Sequence, residues 1–226
     1  MAEYLELLNW SRRELFEFFI GYTNPYFNVC AQVDVTKLVA LVRDRPGVRI
    51  SLALHYFALR VANEIEPFRY RLKDKSVFVY DVINGGTTVL LPNESFAYAY
   101  FDYQLDFEKF VGEAGRAVDN IRTGSGSLKP TMRDDVIYFT TLPWISFTSF
   151  AHARNKGRGE SVPRIVFGKF TKENERLLLP ISVEVHHALM DGLHVGRFLT
   201  RLEEVLAAPE FFVIPTGSGG ADQIFS

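Results

Sequence analysis

Apolar and polar positions along the chain follow two rhythms, and the changes of rhythm mark the elements. Residues 11–19 carry Leu15, Phe16, Phe18 and Phe19 on a helical stripe, with Ser11 placed to cap it. Residues 26–33 have strand character. Asp34-Val35-Thr36-Lys37 then opens a helix with Val35, Leu38, Val39 and Val42 on one face, closed near Pro46-Gly47. Residues 49–65 are almost uniformly apolar and rich in helix formers, including Leu52, Leu54, Tyr56, Leu59 and Val61, which predicts a helix buried in the middle of the molecule. Short β-rich runs at 69–73, 76–80, 86–90 and 97–101 are separated by the turn signals Lys73-Asp74-Lys75, Asn84-Gly85-Gly86 and Pro92-Asn93. Helical spacing returns over 105–122 with Leu105, Phe107, Phe110, Val111 and Ala117, until Thr123-Gly124-Ser125-Gly126-Ser127 breaks it as a loop.

The C-terminal half predicts strands at 136–140, 144–149, 163–170 and 176–186. A last helix follows, with Val195, Phe198, Leu199, Leu202, Val205 and Leu206 on one face. The expected fold class is α+β: a two-layer α/β sandwich with a large mixed β-sheet packed against helices. Residues 1–212 are expected to form a single domain, and the glycine-rich residues 213–226 a flexible tail. Gly85-Gly86 lacks the strand, glycine pattern and helix of a phosphate-cradling loop, which argues against a nucleotide-binding α/β fold.

Hydrophobic residues make up 47% of the 226, enough for a packed core and far from a disordered composition. The formal net charge of −2 supplies no basic field for nucleic acid or an anionic membrane, so an anionic ligand would have to be held by local charges. Cys30 is the single cysteine, which excludes an internal disulfide and a cysteine-based zinc cluster and suits a reducing compartment. Met1-Ala2-Glu3-Tyr4-Leu5 lacks the basic and then apolar order of a signal peptide, and no apolar run reaches the roughly 18 residues of a membrane span. The expectation is a cytoplasmic protein.

Chemistry concentrates in Ile181-Ser182-Val183-Glu184-Val185-His186-His187-Ala188-Leu189-Met190-Asp191-Gly192. Period-two alternation puts Ile181, Val183 and Val185 on one face, and His187 inherits that buried side if the strand continues, with His186 pointing the other way. A partly desolvated histidine can stay neutral near pH 7, the state a general base needs. A satisfied core histidine is the plainer alternative, as is Asp191 as N-cap of a helix beginning near Leu193. A metal site from His187, Asp191 and His194 would need a continuous helix, which the strand pattern and Gly192 oppose.

His186-His187-x-x-x-Asp191-Gly192 followed by Leu193-His194 resembles the signature of the chloramphenicol acetyltransferase family, within the superfamily of CoA-dependent acyltransferases. Three further motifs stand in the family's order: Trp10-x-Arg12-Arg13-x-x-Phe16, Leu142-Pro143-Trp144-Ile145-Ser146-Phe147-Thr148-Ser149-Phe150 and Leu177-Leu178-Leu179-Pro180. The related catalytic cores of 2-oxoacid dehydrogenase complexes lack the tryptophan-arginine start and the Pro-Trp stretch. The resemblance implies a cytoplasmic, antibiotic-resistance type of O-acetyltransferase acting on chloramphenicol or a related small molecule. Acetyl-CoA would be its co-substrate, with no permanently bound cofactor or metal. It also implies a homotrimer whose active sites lie at subunit interfaces.

Carried over by motif, His187 would be the general base and Thr140 the hydroxyl that stabilises the oxyanion, where the family has serine. Asp191 would pair with Arg12 to hold the histidine loop. Lys169, Arg49 and Phe170 would bind CoA, and Phe19, Tyr138, Phe150 and Val166 would line the acceptor pocket. The pocket departs from the family's pattern: Phe19 stands for a tyrosine, Val166 for a threonine and Ala151 for an asparagine, so the acceptor could differ from chloramphenicol. A CoA-binding or ligand-binding homologue with little turnover is the competing class, and a histidine-carboxylate metalloenzyme the third. Arg154-Asn155-Lys156-Gly157-Arg158 looks like a solvated turn.

Overall fold

The computed structural model describes residues 2–73, 76–124, 133–154 and 160–213. The period-two runs form strands β1 (Glu3–Tyr4), β2 (Tyr26–Asp34), β3 (Tyr70–Lys73), β4 (Ser76–Val79), β5 (Asn84–Leu90), β6 (Phe96–Phe101), β7 (Val136–Thr141), β8 (Arg164–Phe167), β9 (Thr171–Glu173) and β10 (Arg176–His186). The helical patterns form α1 (Arg13–Ile20), α2 (Thr36–Arg43), α3 (Ile50–Glu64), α4 (Phe107–Arg122) and α5 (Gly192–Ala207). The Asp34 carboxylate accepts the Thr36 N–H at 2.9 Å, which explains why α2 starts where it does.

The main sheet runs β2-β10-β8-β7-β5-β6, with β9 also pairing β10. β7 lies parallel to both β5 and β8, and the other pairs are antiparallel, so the sheet is mixed as expected. In register, Val183 faces Val29 on one side and Ile165 on the other. That row, with Val185, Phe139 and Phe167, meets Leu52 and Leu59 of α3, Phe110 and Ala114 of α4, and Phe198 and Leu202 of α5 in one core. Truncating a side chain such as Phe198 here would cost about 3–5 kcal/mol. α3 has buried residues on every side, as its uniform hydrophobicity predicts. The result is the α+β two-layer arrangement.

Strands β3 and β4 fall on the expected runs 69–73 and 76–80, but with the two-residue β1, which was not expected, they form a second sheet, β1-β4-β3, apart from the main one. It shares a smaller core with α1: Phe16, Tyr70 and Val77 pack with Ala188 and Leu189, the residues following His187. Fully buried Arg71 of β3 donates to the carbonyls of Phe68, Tyr70, Asp134 and Val136, binding this sheet to the start of β7.

Several expectations are corrected. Residues 144–149 form no strand: a turn follows Pro143, Trp144 and Ile145 face solvent, and only Phe147 is buried. This loop docks where Gly168 has no side chain, since a Cβ there would stand 2.6 Å from Pro180 and 2.9 Å from the Ile145 carbonyl. The run 163–170 is a strand only over Arg164–Phe167. Asn84-Gly85-Gly86 is strand, not turn, because the aromatic rings of Phe101 and Tyr100 occupy the space over the two glycines. Ser11 does not cap α1: Arg12 holds the N-cap position, with no side-chain cap bond. Leu105 lies ahead of α4, exposed, while Asp106 caps that helix by accepting the Lys109 N–H. Val213, placed above in the tail, is buried against the core, and residues 214–226 lie outside the described residues.

Candidate active site

β10 ends at His186, which pairs with Tyr26 of β2. His186 is buried, and its Nδ1 accepts the Ala188 N–H at 3.2 Å. Burial, helped by the nearby charge of Arg154, pushes its pKa down to about 4. His187 lies one residue beyond the strand and donates its N–H to the Pro25 carbonyl at 2.7 Å. Its ring lies flat on Phe19, with centroids 3.9 Å and planes 9° apart, and Phe27 sits at 4.7 Å. Phe27 is the register partner of Val185, so His187 keeps to the helix-facing side as expected. The degree of burial is reversed, however. His187, past the end of the sheet, has a third of its side chain exposed, and His186 is the enclosed member of the pair.

Asp191 is the N-cap of α5, and His194 Nδ1 accepts its backbone N–H at 2.9 Å. Its Oδ2 is ion-paired with Arg12. Its Oδ1 stands 3.3 Å from the buried Nδ1 of His187, close enough for charge interaction but without the alignment of a hydrogen bond. Arg12 also donates to the His187 carbonyl at 3.3 Å. Asp191 therefore fills both roles weighed for it, helix cap and partner of Arg12. The continuous helix that a metal site would need is missing, and among the described residues no group of three or more His, Cys, Asp or Glu could hold a metal.

Thr140 lies on the sheet face away from the helices, in register with Val166 and through it with Ser182. It lines a cleft of about 800 Å³ with Tyr98, Tyr100, Tyr138, Trp144 and Phe96. Among the described residues its hydroxyl has no hydrogen-bond partner. Tyr138 donates to the Arg133 carbonyl at 3.0 Å, and burial followed by the neighbouring Tyr100 raises its pKa. Of the other acceptor-pocket candidates, Val166 is fully buried within the sheet, Phe150 packs beside Phe147 and His152, and Phe19 is with His187. His187 is not on the cleft wall, so the chain brings Thr140 together with Tyr138 but not with the histidine.

The CoA candidates are equally dispersed. Lys169 and Phe170 lie exposed between β8 and β9, and the Lys169 N–H is held by the Ile145 carbonyl at 2.7 Å. Arg49, the N-cap of α3, donates to Asp119 at 2.7 Å and to the Gly115 carbonyl at 2.9 Å, so a phosphate there would have to displace Asp119.

Arg154 departs from the solvated-turn expectation, and the rest of that run, residues 155–158, lies outside the described residues. Only 7% of the Arg154 side chain is exposed, and it donates to Glu184 at 2.6 Å. Burial favours the neutral Glu184 carboxyl, but the contacts of His152 and Arg154 outweigh it and hold the pKa down to about 2. The signal for this cluster was a charged Glu184 between Val183 and Val185 in a long apolar strand; its partner, 30 residues away, left no local pattern.

The family model for chloramphenicol acetyltransferase matches residues 2–203. The chain belongs to the chloramphenicol acetyltransferase family. This makes it an acyltransferase. It is 33% identical to a chloramphenicol acetyltransferase of Streptomyces acrimycini over 215 residues, covering 91% of this chain and 94% of the relative. A solved chloramphenicol acetyltransferase structure superposes with a TM-score of 0.79 at 29% identity, covering 91% of this chain and all of the other. A dihydrolipoamide acetyltransferase of Azotobacter vinelandii, at 18% identity and TM-score 0.68 over 89% and 88% of the two chains, shares the fold alone. Among the described residues no helix is long and apolar enough to cross a membrane.

Proposed function

We propose that the protein transfers an acetyl group from acetyl-CoA to a hydroxyl of chloramphenicol or a related small molecule, with His187 as general base. The observation that carries this is the mounting of the His187 ring: one face on Phe19, Nδ1 buried beside Asp191, and a third of the side chain open. A carboxylate oxygen near Nδ1 favours the tautomer protonated there and leaves Nε2 to take a proton. Nε2 removes the proton of the acceptor hydroxyl as its oxygen attacks the thioester carbonyl. The tetrahedral intermediate then expels the CoA thiolate, which recovers the proton from the imidazolium as free thiol.

Thr140, with no competing side-chain hydrogen bond among the described residues, is assigned to the oxyanion, a role worth about 3 kcal/mol. Tyr138 and the cleft beside it take the acceptor, and Lys169 and Phe170 take CoA. Because His187 and Thr140 lie apart in one chain, a working site needs two copies, the base of one facing the cleft of the next. Exposed Leu90, Phe96 and Trp144, all on the cleft lining, suit burial in such a trimer.

The test is release of free CoA from acetyl-CoA in the presence of chloramphenicol and a panel of small alcohols. His187→Ala should lower kcat by about 10²–10⁴-fold at unchanged stability, and equal rates in the two proteins would reject the assignment. Sedimentation of the active protein as a monomer would reject the shared site.

A further inference from the structure

The cleft has a charged end whose members neutralise one another. Glu184 accepts from Arg154 at 2.6 Å, with 6% and 7% of their side chains exposed. Arg154 also stands 3.4 Å from Glu160, which is ion-paired with Arg164, while Arg164 donates to the Ala153 carbonyl at 2.8 Å. The His152 ring lies 3.6 Å from Glu184, and its backbone N–H 3.5 Å from the same carboxylate. His152, Ala153, Arg154, Glu160 and Arg164 are all cleft-lining residues; Glu184 is not, and anchors them from behind. The Arg154 guanidinium lies 4.2 Å over the Tyr26 ring, Tyr26 donates to the Glu160 carbonyl, and its ring meets His186 edge-on at 5.1 Å. The cleft wall is thereby fastened to the strand that delivers the histidine pair.

Charge balance at this end is exact only with Glu184 present. Without it, Arg154 and Arg164 would share the single carboxylate of Glu160, and a buried guanidinium lacking its partner is strongly disfavoured. The wall would relax by moving Arg154 toward water, carrying residues 152–154 with it.

We propose that Glu184 is a positioning residue for the acceptor: it clamps the 152–154 wall of the cleft and so sets how tightly the acceptor is seated. The proposal rests on the assignment of the cleft to the acceptor. CoA binding is not tied to this cluster, so the two substrates should respond differently.

The test uses the full-length protein and the variant Glu184→Gln, which keeps the shape and removes the charge. The KM for chloramphenicol should rise by about tenfold or more while that for acetyl-CoA stays within about twofold. Amide hydrogen exchange over 150–154 should accelerate by about tenfold while that of α3 is unchanged. The double variant Glu184→Gln/Arg154→Gln, which restores charge balance, should regain part of that protection and serves if the single variant folds poorly. Unchanged exchange over 150–154, or equal changes in both KM values, would overturn the clamp. If the unaltered protein acetylates neither chloramphenicol nor any alcohol of the panel, the acceptor assignment fails by itself, and the exchange measurement still decides the role of Glu184.

Discussion

The ring of Phe19 lies against the imidazole of His187 with centroids 3.9 Å apart and planes within 9° of parallel. Phe19 belongs to α1 and His187 directly follows β10, so the imidazole is oriented by a residue 168 positions earlier, and not by its own strand. With no well-aligned hydrogen bond on Nδ1, this flat contact is a main restraint on rotation of the ring. Phe19→Ala should lower kcat by about 10–100-fold with a smaller change in KM, since misorientation of a catalytic group by about 1 Å costs that much. Phe19→Tyr, which keeps the ring face, should retain most activity. Steady-state kinetics on both variants decide it, and a Phe19→Ala protein with unaltered kcat would remove Phe19 from this role.

Arg12 joins three parts of the site at once: the Asp191 carboxylate, the His187 carbonyl and, through the α1 region, the small core under Ala188 and Leu189. Arg12→Met should leave Asp191 without its countercharge and destabilise the protein by roughly 2 kcal/mol, less than a fully enclosed pair because Asp191 keeps some exposure. Asp191→Asn should cost about the same, and the double variant less than the sum, as expected of residues in direct contact. Urea denaturation of the three proteins provides the double-mutant cycle, and strict additivity would show that the pair is not coupled.

Local periodicity made most elements legible, because a strand such as β10 and a helix such as α3 bury whole faces and print them in the residue pattern. It misplaced 144–149, where alternating Trp144, Ser146 and Thr148 imitate a strand although Pro143 begins a turn and Ile145 points to solvent. It marked β3 and β4 but could not show that they leave the main sheet to pair with β1, which at two residues is too short to alternate. At the site, the Arg12–Asp191 pair was named through resemblance and is present. The Glu184–Arg154 pair left only a stray charge in an apolar strand, because a salt bridge between a strand and a loop 30 residues away has no fixed sequence spacing. The same holds for the distance between Thr140 and His187: adjacency in a family's motif order says nothing about which residues one chain unites.

Gly85 in β5 shows what the turn expectation missed. A Cβ at this position would lie 2.2 Å from one carbon of the Phe101 ring and 2.9 Å from two others. Phe101 is buried and packs edge-on against Phe110 of α4, so it has little room to withdraw. Gly85→Ala should therefore destabilise by about 2 kcal/mol through overpacking, a fall in Tm of roughly 4–8 °C for a chain of this size. Thermal denaturation is the check. A Tm unchanged within about 1 °C would mean that the ring moves aside freely.

His55 of α3 makes the stability of the fold depend on pH. It is enclosed between Phe139, at 4.6 Å, and Phe101, at 5.7 Å, and neither ring nitrogen has a hydrogen-bond partner. Burial drives its pKa from 6.5 down to about 3. In the unfolded chain His55 accepts a proton near pH 6.5, whereas the folded protein refuses it until about pH 3. Between those values the unfolded state holds the extra proton, so stability is complete above pH 6.5 and falls by about 1.4 kcal/mol per pH unit as the pH drops toward 3. His186, pushed down to about 4, acts in the same direction, so the contribution of His55 must be obtained by subtraction. His55→Leu removes the unpaired ring nitrogens and should stabilise the protein by about 1 kcal/mol at pH 7. That advantage should widen to about 3 kcal/mol at pH 5, because only the unaltered protein loses the His55 term. Urea denaturation at the two pH values measures both differences. If the variant's advantage were the same at pH 5 as at pH 7, His55 would not be the titrating group.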